Sequence, residues 1–419
     1  MHAETKAGPS PRVCILTLEP VQLGGVNVHV HAVYRMLRSW GWEPTIVYAL
    51  NAGPEASLLE RLRFTIKNWR AAPRPYPHGK DPFADLQTLV VAAPPVPFWL
   101  YYAVPQFIFG RLLPSFDVIV VVPASAHCAF PLALRGLPYV LWVATDYEDE
   151  LRSRAAMQDP WAQATLDAWS WPLLVAQERY ALRRAGAIVA WPNGKERLGE
   201  HFPDLADRME PILFPVDTGR FKPAEGDPPQ HPYGKFLLMT ARIHDPRKNF
   251  PLMLEAFARV RAQRSDINLV TIGGHPSEEA LEQRRRLGLE DSVYFVERWL
   301  SRDELIAHYQ SAELFVLSSV QEGLGIPVLE AIACGLPVVS TDCGGPNSVV
   351  VEGQTGLLVP NHDPDALADG ILRLLADPQG LDQLRANCVS FAARHFSIEV
   401  VEAQFKKALR TVYGRNLDR

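Results

Sequence analysis

Short apolar runs recur along the chain, and most of them are apolar at every position rather than at alternate positions. In the first half they cover residues 13–16, 45–48, 89–92, 118–122, 139–143 and 187–190. In the second half they cover residues 236–239, 269–272, 293–296, 314–317 and 338–340. Strands that are buried on both faces of a parallel sheet have this composition, and segments with helical periodicity separate the runs. The alternation predicts an α/β protein with two doubly wound parallel sheets.

A change of composition separates the two series of runs. Residues 215–232 are rich in proline and glycine and contain no long periodic pattern, which is typical of an interdomain linker. Two similar domains leave a cleft between them, and the ligands of open α/β sheets bind beyond the carboxyl ends of the strands. Near the end of the chain, apolar residues from 398 to 412 recur at helical spacing and predict an amphipathic helix.

The bulk composition excludes some classes of partner. The chain has 419 residues, of which 47% are hydrophobic and 21% charged, as in ordinary soluble globular proteins. Its net charge of −5 argues against a broad nucleic-acid surface. The five cysteines are scattered and form no CxxC or Cys/His cluster, and the first residues lack the apolar core of a signal peptide. We therefore expect a cytoplasmic protein with reduced thiols.

Residues 86–110 contain no charged side chain and include the run FWLYY at 98–102. Four prolines interrupt this stretch, which argues against a continuous membrane-spanning helix. One interpretation is a buried strand followed by a loop and a helix. The other is a surface patch that meets lipid at the inner face of the membrane or a lipid-linked substrate, and the basic residues that precede it favour this interpretation. These are Arg61, Arg63, Lys67, Arg70 and Arg74.

One segment carries the strongest chemical signal. The run 314–317 predicts a strand, the loop after it contains Glu322, and Pro327 predicts the start of a helix that contains Glu330. Exposed N–H groups at a helix start attract phosphate, while carboxylates accept hydrogen bonds from hydroxyls. The segment therefore predicts a site for a sugar nucleotide.

Two cations follow the first strand of the second series. Arg242 and Lys248 lie six residues apart, so both can reach a diphosphate, and fixed cations neutralise the charge of a leaving diphosphate. The alternative is ordinary surface charge. The pair Gly24-Gly25 after the first strand permits close backbone approach to an anion, although a tight turn explains it equally well.

The first half offers fewer candidates. His127 follows the run 118–122, where a residue of the cleft is expected, but a lone histidine is more often structural. Asp146 begins an acidic group that either binds the hydroxyls of an acceptor or marks the start of a helix. The sequence has no HExxH, DxD or clustered ligand set for a metal and no GxSxG or Cys/His pattern for a hydrolase.

In this order, the motifs resemble those of the retaining GT-B glycosyltransferases of family 4. The similarity runs from Gly24-Gly25 through FPVDTGRF at 214–221, Arg242 and Lys248-Asn249 to GQTGLLV at 353–359. Its most specific part is the Glu-x7-Glu segment, with EGLG at 322–325 and EAIACGLPVVS at 330–340.

The resemblance implies a Rossmann-like acceptor domain at 1–215, a Rossmann-like donor domain at 216–395 and a final helix at 396–419 that crosses back. It implies a metal-independent enzyme without a cofactor, which moves a sugar from a nucleotide-diphosphate donor to a hydroxyl acceptor with retention of configuration. Arg242 and Lys248 would hold the diphosphate, Glu322 the sugar hydroxyls and Glu330 the ribose. The other implied donor contacts are Gly25, Gly323, Leu324, Gly325 and Ile326.

The chain departs from the family pattern in two places. Many members carry a histidine after the strand at 139–143, where this chain has Val143 or Thr145, depending on alignment. Asp146 and His127 are the candidates to replace its contact with the sugar, beside Gly24 and Thr145 as further acceptor-side positions. The stretch written GG-x-x-E in the family ends here in Ser348, so we expect the contact of that carboxylate to be lost.

Two other functions fit the same residues. One is a nucleotide-sugar epimerase or a phosphorolytic enzyme on this fold. The other is a non-catalytic protein that binds a sugar nucleotide, which the missing histidine would explain. The base, the donor sugar, the acceptor and the oligomeric state do not follow from the sequence.

Overall fold

The computed structural model describes residues 10–17, 25–50, 57–67, 72, 83–92, 112–123, 125–143, 147–157, 159–226, 231–414 and 417. They form two parallel β-sheets with helices packed on both sides, which confirms the predicted fold class. Gly24, Thr145 and Asp146 lie outside the described residues, as do residues 93–110 of the uncharged stretch.

The first sheet has the strand order β3-β2-β1-β4-β5-β6-β7, and all neighbouring strands are parallel. Its strands are β1 (Arg12–Leu16), β2 (Glu43–Leu50), β3 (Thr88–Ala92), β4 (Val118–Val121), β5 (Val140–Trp142), β6 (Ala187–Ala190) and β7 (Met209–Pro211). The four side chains of β4 are at most 2% exposed. Each such aliphatic side chain stabilises the fold by about 1.5–3 kcal/mol, which is why these strands are apolar on both faces.

Helices connect these strands and begin at their carboxyl ends. The described ones are α1 (Gly25–Ser39), α2 (Leu58–Lys67), α3 (Phe130–Arg135), α4 (Tyr147–Ala156), α5 (Pro160–Asp167), α6 (Trp171–Arg184) and α7 (Pro192–His201). The α1 helix buries one side, including His29, Val33 and Leu37, because its apolar residues recur at helical spacing. Its first residue, Gly25, lies at the edge of the sheet where the strands have their carboxyl ends.

The second sheet has the order β10-β9-β8-β11-β12-β13 and is also parallel throughout. Its strands are β8 (Lys235–Thr240), β9 (Ile267–Ile272), β10 (Val293–Val296), β11 (Leu314–Leu317), β12 (Val338–Thr341) and β13 (Gly356–Val359). Its helices are α8 (Phe250–Gln263), α9 (Glu278–Arg286), α10 (Arg302–Ser311), α11 (Ile326–Ala333), α12 (Pro364–Leu375) and α13 (Pro378–His395).

The last helix, α14 (Ile398–Tyr413), packs on the first sheet although it follows the second. The ring of Phe405 lies 5.0 Å from that of Trp142 on β5, and the Tyr413 hydroxyl accepts a hydrogen bond of 2.9 Å from the N–H of Ile119 on β4. Where the chain first leaves the first domain, the N–H of Val216 donates to the carbonyl of Phe396 at 2.9 Å. The two crossings between domains therefore lie side by side.

Two edge strands, β7 and β13, have no counterpart among the predicted strands. The β7 strand is three residues long and contains Glu210 and Pro211, so it has no apolar run to recognise. The β13 strand begins at Gly356, where an added Cβ would lie 1.8 Å from the carbonyl oxygen of Val338. A glycine marks the start of that strand because the neighbouring backbone comes too close for any side chain.

Candidate active site

The N-termini of two helices from different domains meet in the cleft. The α1 helix begins at Gly25, and a Cβ added there would lie 3.9 Å from Cδ1 of Ile326, the first residue of α11. The N–H groups of Leu324, Gly325 and Ile326 donate no hydrogen bond to any other described residue. Unsatisfied N–H groups at a helix start carry partial positive charge, so this point of the cleft favours an anion.

The loop that leads into α11 is fixed by the loop after β12. The N–H of Glu322 donates to the carbonyl of Cys343 at 2.8 Å, and the N–H of Gly345 donates back to the carbonyl of Glu322 at 3.1 Å. The two backbones touch at Gly345, where an added Cβ would lie 2.0 Å from the carbonyl oxygen of Gly323. Gly325 has a φ of 74°, in the left-handed region that favours glycine. Glycine is therefore required on both loops.

Lys248 and Glu322 form an ion pair with 2.5 Å between Nζ and Oε1, and each side chain is only 12% exposed. The Ser319 hydroxyl donates to the same oxygen at 2.8 Å. Lys248 ends a short 3-10 turn, and its carbonyl accepts a hydrogen bond of 2.8 Å from the Ser318 hydroxyl. The predicted phosphate cation and the predicted sugar carboxylate are thus in direct contact, although 74 residues separate them.

Arg242 lies at the edge of this cluster. Its side chain is 46% exposed, and its Nη2 lies 3.2 Å from Asp245 Oδ2. Asp245 also accepts hydrogen bonds from Arg247, through the backbone N–H at 3.1 Å and Nη2 at 2.8 Å. Burial would raise the pKa of Asp245, but the hydrogen bonds and charge of Arg247 outweigh it and lower the pKa to about 2. Asp245 therefore stays ionised and fixes the turn that carries Lys248.

Glu330 lies one turn inside α11. Its Oε2 accepts a hydrogen bond of 2.9 Å from the hydroxyl of Tyr309 on α10. Burial raises the pKa of Glu330 to about 7, although the Tyr309 hydrogen bond and the charge of Arg302 pull it down. The contact with Tyr309 could not be predicted from the sequence, because nothing in the local pattern around residue 309 marks a partner 21 residues away.

His127 is placed in the core of the first domain and is fully buried. Its Nε2 lies 2.9 Å from the carbonyl of Leu174 and therefore carries the proton, so its Nδ1 accepts from the Ser125 hydroxyl at 3.0 Å. Burial lowers the pKa of His127 to about 4, so the ring is neutral. Nε2 thus contacts α6 and Nδ1 contacts the segment after β4, so the ring has a structural role, and its contact with acceptor or sugar stays a prediction.

A second histidine, His29 on α1, was not singled out from the sequence. It packs against the rings of Trp142 at 5.5 Å and Phe214 at 4.7 Å, and burial lowers its pKa to about 3. Its position four residues after Gly25 on the apolar side of α1 is the signal that could have drawn attention to it.

Ser348 makes a contact between the domains. Its hydroxyl accepts a hydrogen bond of 3.2 Å from the N–H of Asn193 at the start of α7, and the Asn193 side chain donates to the carbonyl of Gly344 at 3.4 Å. Ser348 thus stands where the family pattern has a carboxylate, and its hydroxyl bonds to the first domain instead.

A cavity of about 160 Å³ lies in the first domain, and one residue of the acidic segment after β5 lines it. Glu148, which forms an ion pair with Arg152 at 2.6 Å, lines it beside Glu178, Arg179 and His201. Among the residues that the structure describes, no group of three His, Cys, Asp or Glu side chains is arranged to hold a metal ion. Within the same residues, no helix is long and apolar enough to cross a membrane.

The second domain is similar in sequence to known proteins. The family described as glycosyl transferases group 1 matches residues 234–377. The chain is 34% identical over 243 residues to a GDP-mannose-dependent alpha-(1-6)-phosphatidylinositol monomannoside mannosyltransferase from Mycolicibacterium smegmatis, covering 53% of this chain and 61% of that protein. It is 33% identical over 229 residues to D-inositol 3-phosphate glycosyltransferase 2 from Catenulispora acidiphila, covering 50% of this chain and 51% of that protein. The chain thus spans about half to three fifths of these curated relatives.

Another relative and two solved structures extend the similarity to nearly the whole chain. The phosphatidyl-myo-inositol mannosyltransferase of M. smegmatis is 26% identical over 407 residues, or 94% of this chain and 92% of that protein. A sucrose-phosphate synthase from Thermosynechococcus elongatus superposes with a TM-score of 0.70 at 19% identity, over 96% of this chain and 99% of its own.

Anabaena HepE in complex with UDP and glucose superposes with a TM-score of 0.69 at 17% identity, over 96% of this chain and 100% of its own. At such identities the two structures are similar to this chain in fold. The resemblance drawn from the sequence is confirmed: residues 234–377 match the family described as glycosyl transferases group 1, and the two domains together have the GT-B fold.

Proposed function

We propose that the protein is a glycosyltransferase that takes its sugar from a nucleotide-diphosphate donor. The observation that carries this proposal is the cluster of Lys248, Glu322 and Arg242 at the N-terminus of α11, directly opposite Gly25. Two cations, a carboxylate and unsatisfied N–H groups converge there, which matches the diphosphate and the hydroxyls of one ligand. The names of the relatives, among them a GDP-mannose-dependent mannosyltransferase, support the same donor class.

The chemistry follows from the charges of the cluster. As the bond between the sugar carbon and the diphosphate oxygen breaks, negative charge grows on that oxygen. Lys248, Arg242 and the N–H groups of the α11 start are fixed cations and dipoles that stabilise this charge. Glu322 forms an ion pair with Lys248, one of the diphosphate cations. A sugar hydroxyl that donates a hydrogen bond to Glu322 therefore lies next to the diphosphate site.

We propose further that the reaction retains the configuration of the sugar and uses no metal. The acceptor oxygen attacks the sugar carbon from the face that the diphosphate leaves, and the proton of the acceptor hydroxyl passes to the departing phosphate oxygen. Gly25 brings the backbone of the first domain close to Ile326 on the donor side, so an acceptor bound by the first domain lies near the donor.

Thermal unfolding with a panel of nucleoside diphosphates and their sugars tests donor recognition. A ligand at 100 times its dissociation constant is expected to stabilise the protein by about 2.7 kcal/mol. Transfer to a hydroxyl acceptor, with an anomeric proton signal in the product that matches the donor, is the expected result. No stabilisation by any member of the panel, or a product of inverted configuration, would contradict the donor or the stereochemical proposal respectively.

The same panel separates the two alternatives. An epimerase would convert a sugar nucleotide without any acceptor. A non-catalytic binding protein would be stabilised by the nucleotide but release no diphosphate with any acceptor. The cluster of Lys248, Glu322 and Arg242 fits a sugar nucleotide in all three cases, and the names of the relatives favour the transferase.

We also propose that α2 contacts an anionic membrane surface. Three apolar side chains on one face of this helix are well exposed, namely Leu59 (55%), Leu62 (44%) and Ile66 (65%). The exposed cations Arg63 and Lys67 flank that face. Such a helix lies in the interface of a membrane and is held by apolar burial and by attraction to anionic head groups.

Co-sedimentation with vesicles of phosphatidylglycerol and phosphatidylcholine tests this contact. The protein is expected to pellet at low salt and to be released at high salt, because ions screen the attraction. Leu59→Glu with Ile66→Glu is expected to abolish pelleting, while Leu134→Glu, at a 41% exposed leucine on α3, is the matched control. A wild-type protein that stays in the supernatant at low salt would rule the contact out.

A further inference from the structure

The Glu330 carboxylate is held from one side only. Its Oε2 accepts the hydrogen bond from Tyr309, at 2.9 Å. Its Oε1 accepts no hydrogen bond from the described residues. One oxygen is thus engaged by the protein, and the other is available to a ligand.

Tyr309 itself is rigidly placed. It is 1% exposed, and its ring packs 6.3 Å from that of Phe221 in the interdomain segment and 6.1 Å from that of Phe315 on β11. Burial and the nearby charge of Glu330 raise the pKa of the Tyr309 hydroxyl well above its usual value, so the hydroxyl keeps its proton and acts as a donor. A buried hydroxyl of this kind fixes the orientation of the carboxylate it contacts.

From this geometry we infer that Tyr309 is a positioning residue: it holds Oε2 of Glu330 so that Oε1 faces the ribose hydroxyls of the donor nucleotide. The inference rests on the proposed function, because it needs a nucleotide in the cleft. Tyr309 needs no contact of its own with the nucleotide for this role. Its effect passes through Glu330, which must remain a carboxylate to accept a hydrogen bond from a ribose hydroxyl.

The charge state of Glu330 gives the inference a second readout. The ionisable groups that act on this carboxyl are Tyr309 and Arg302 of α10, which favour the charged form, and the neighbouring Cys334 thiol. Ribose binding favours the carboxylate, so affinity falls as the pH drops through the pKa of Glu330. Removal of the Tyr309 hydroxyl takes away one lowering influence, so this loss of affinity is expected to begin at a higher pH.

The test is calorimetric titration of the nucleoside diphosphate that stabilises the wild-type protein, together with its 2′-deoxy and 3′-deoxy forms. The wild-type protein is expected to bind at least one deoxy form roughly tenfold more weakly, the scale of a lost hydrogen bond to a charged group. Tyr309→Phe is expected to bring that ratio close to one and to move the pH midpoint of binding upward. In a Glu330→Gln background the same substitution is expected to change neither quantity.

Two further variants make the result specific. Tyr294→Phe removes a tyrosine hydroxyl that donates to the Asp291 carbonyl at 2.9 Å near the protein surface, and it is expected to leave ribose discrimination unchanged. A 3-fluorotyrosine at position 309 keeps the hydroxyl and makes it a stronger acid, so it is expected to keep discrimination and to lower the pH midpoint. This variant also tests the inference if Tyr309→Phe does not fold.

The outcomes separate the inference from the function on which it rests. A wild-type protein that binds no nucleoside diphosphate contradicts the proposed function. A wild-type protein that discriminates ribose overturns only the inference if folded Tyr309→Phe retains the full discrimination and the same pH midpoint. An unchanged pH midpoint with 3-fluorotyrosine overturns it as well.

Discussion

Lys248→Ala is expected to lower sugar transfer by at least ~10²-fold, the scale on which one donor to a developing anion acts. The ammonium group of Lys248 is the buried cation of the cluster, whereas Arg242 is nearly half exposed. The substitution also leaves the Glu322 carboxylate charged, with the Ser319 hydroxyl as its remaining hydrogen-bond donor among the described residues. Breaking a buried ion pair on one side costs about 3–5 kcal/mol, so a lower unfolding midpoint is expected too.

A double variant separates the loss of chemistry from the loss of stability. Lys248→Met with Glu322→Gln removes both charges, so stability is expected to return towards that of the wild-type protein while transfer stays at the level of the single variant. Lys222→Ala is the matched control, because Lys222 pairs with Glu225 at the surface and far from the cluster in sequence. Transfer by folded Lys248→Ala at more than a tenth of the wild-type rate would remove Lys248 from the donor site.

Gly345→Ala is expected to reduce transfer by a similar factor. Its new Cβ would lie 2.0 Å from the carbonyl oxygen of Gly323 and 2.5 Å from Cα of Leu324, and both neighbours are backbone atoms that cannot rotate away. The loop that carries Glu322 and begins α11 must shift. A displacement of about 1 Å at a catalytic group costs roughly 10²-fold in rate.

The matched glycine is Gly199 within α7, where an added Cβ meets nothing within 4 Å. Gly199→Ala is expected to stabilise the helix by about 0.5–1 kcal/mol and to leave transfer unchanged. Steady-state rates and unfolding midpoints of the two alanine variants make the comparison. Equal rates for Gly345→Ala and the wild-type protein would show that the contact between the two loops is not needed for transfer.

The donor loop could be predicted closely because its signals are local. A buried strand at 314–317, a glycine-containing loop and a proline near the helix start all occur within one continuous segment. The helix begins one residue earlier than expected, at Ile326, with Pro327 as its second residue. Parallel strands with helices between them also force their carboxyl ends to one edge, which is why Arg242 and Glu322 could be assigned to one site before any contact was known.

Pairings between distant residues could not be predicted. The partner of Glu322 is 74 residues away, and the hydrogen bond between Asn193 and Ser348 joins residues 155 apart. The spacing of charges along a chain does not determine which of them meet. His127 illustrates the same point, since its position after a strand suggested the cleft, while the carbonyl of Leu174 on α6 holds it in the core.

The most direct measurement is the release of nucleoside diphosphate from the donor sugar that stabilises the protein, with a panel of hydroxyl acceptors, by the wild-type protein and by Lys248→Ala. The proposed function predicts release that depends on an acceptor and falls at least ~10²-fold in the variant. Release at equal rates by both proteins, or no release from any donor that binds, would contradict it.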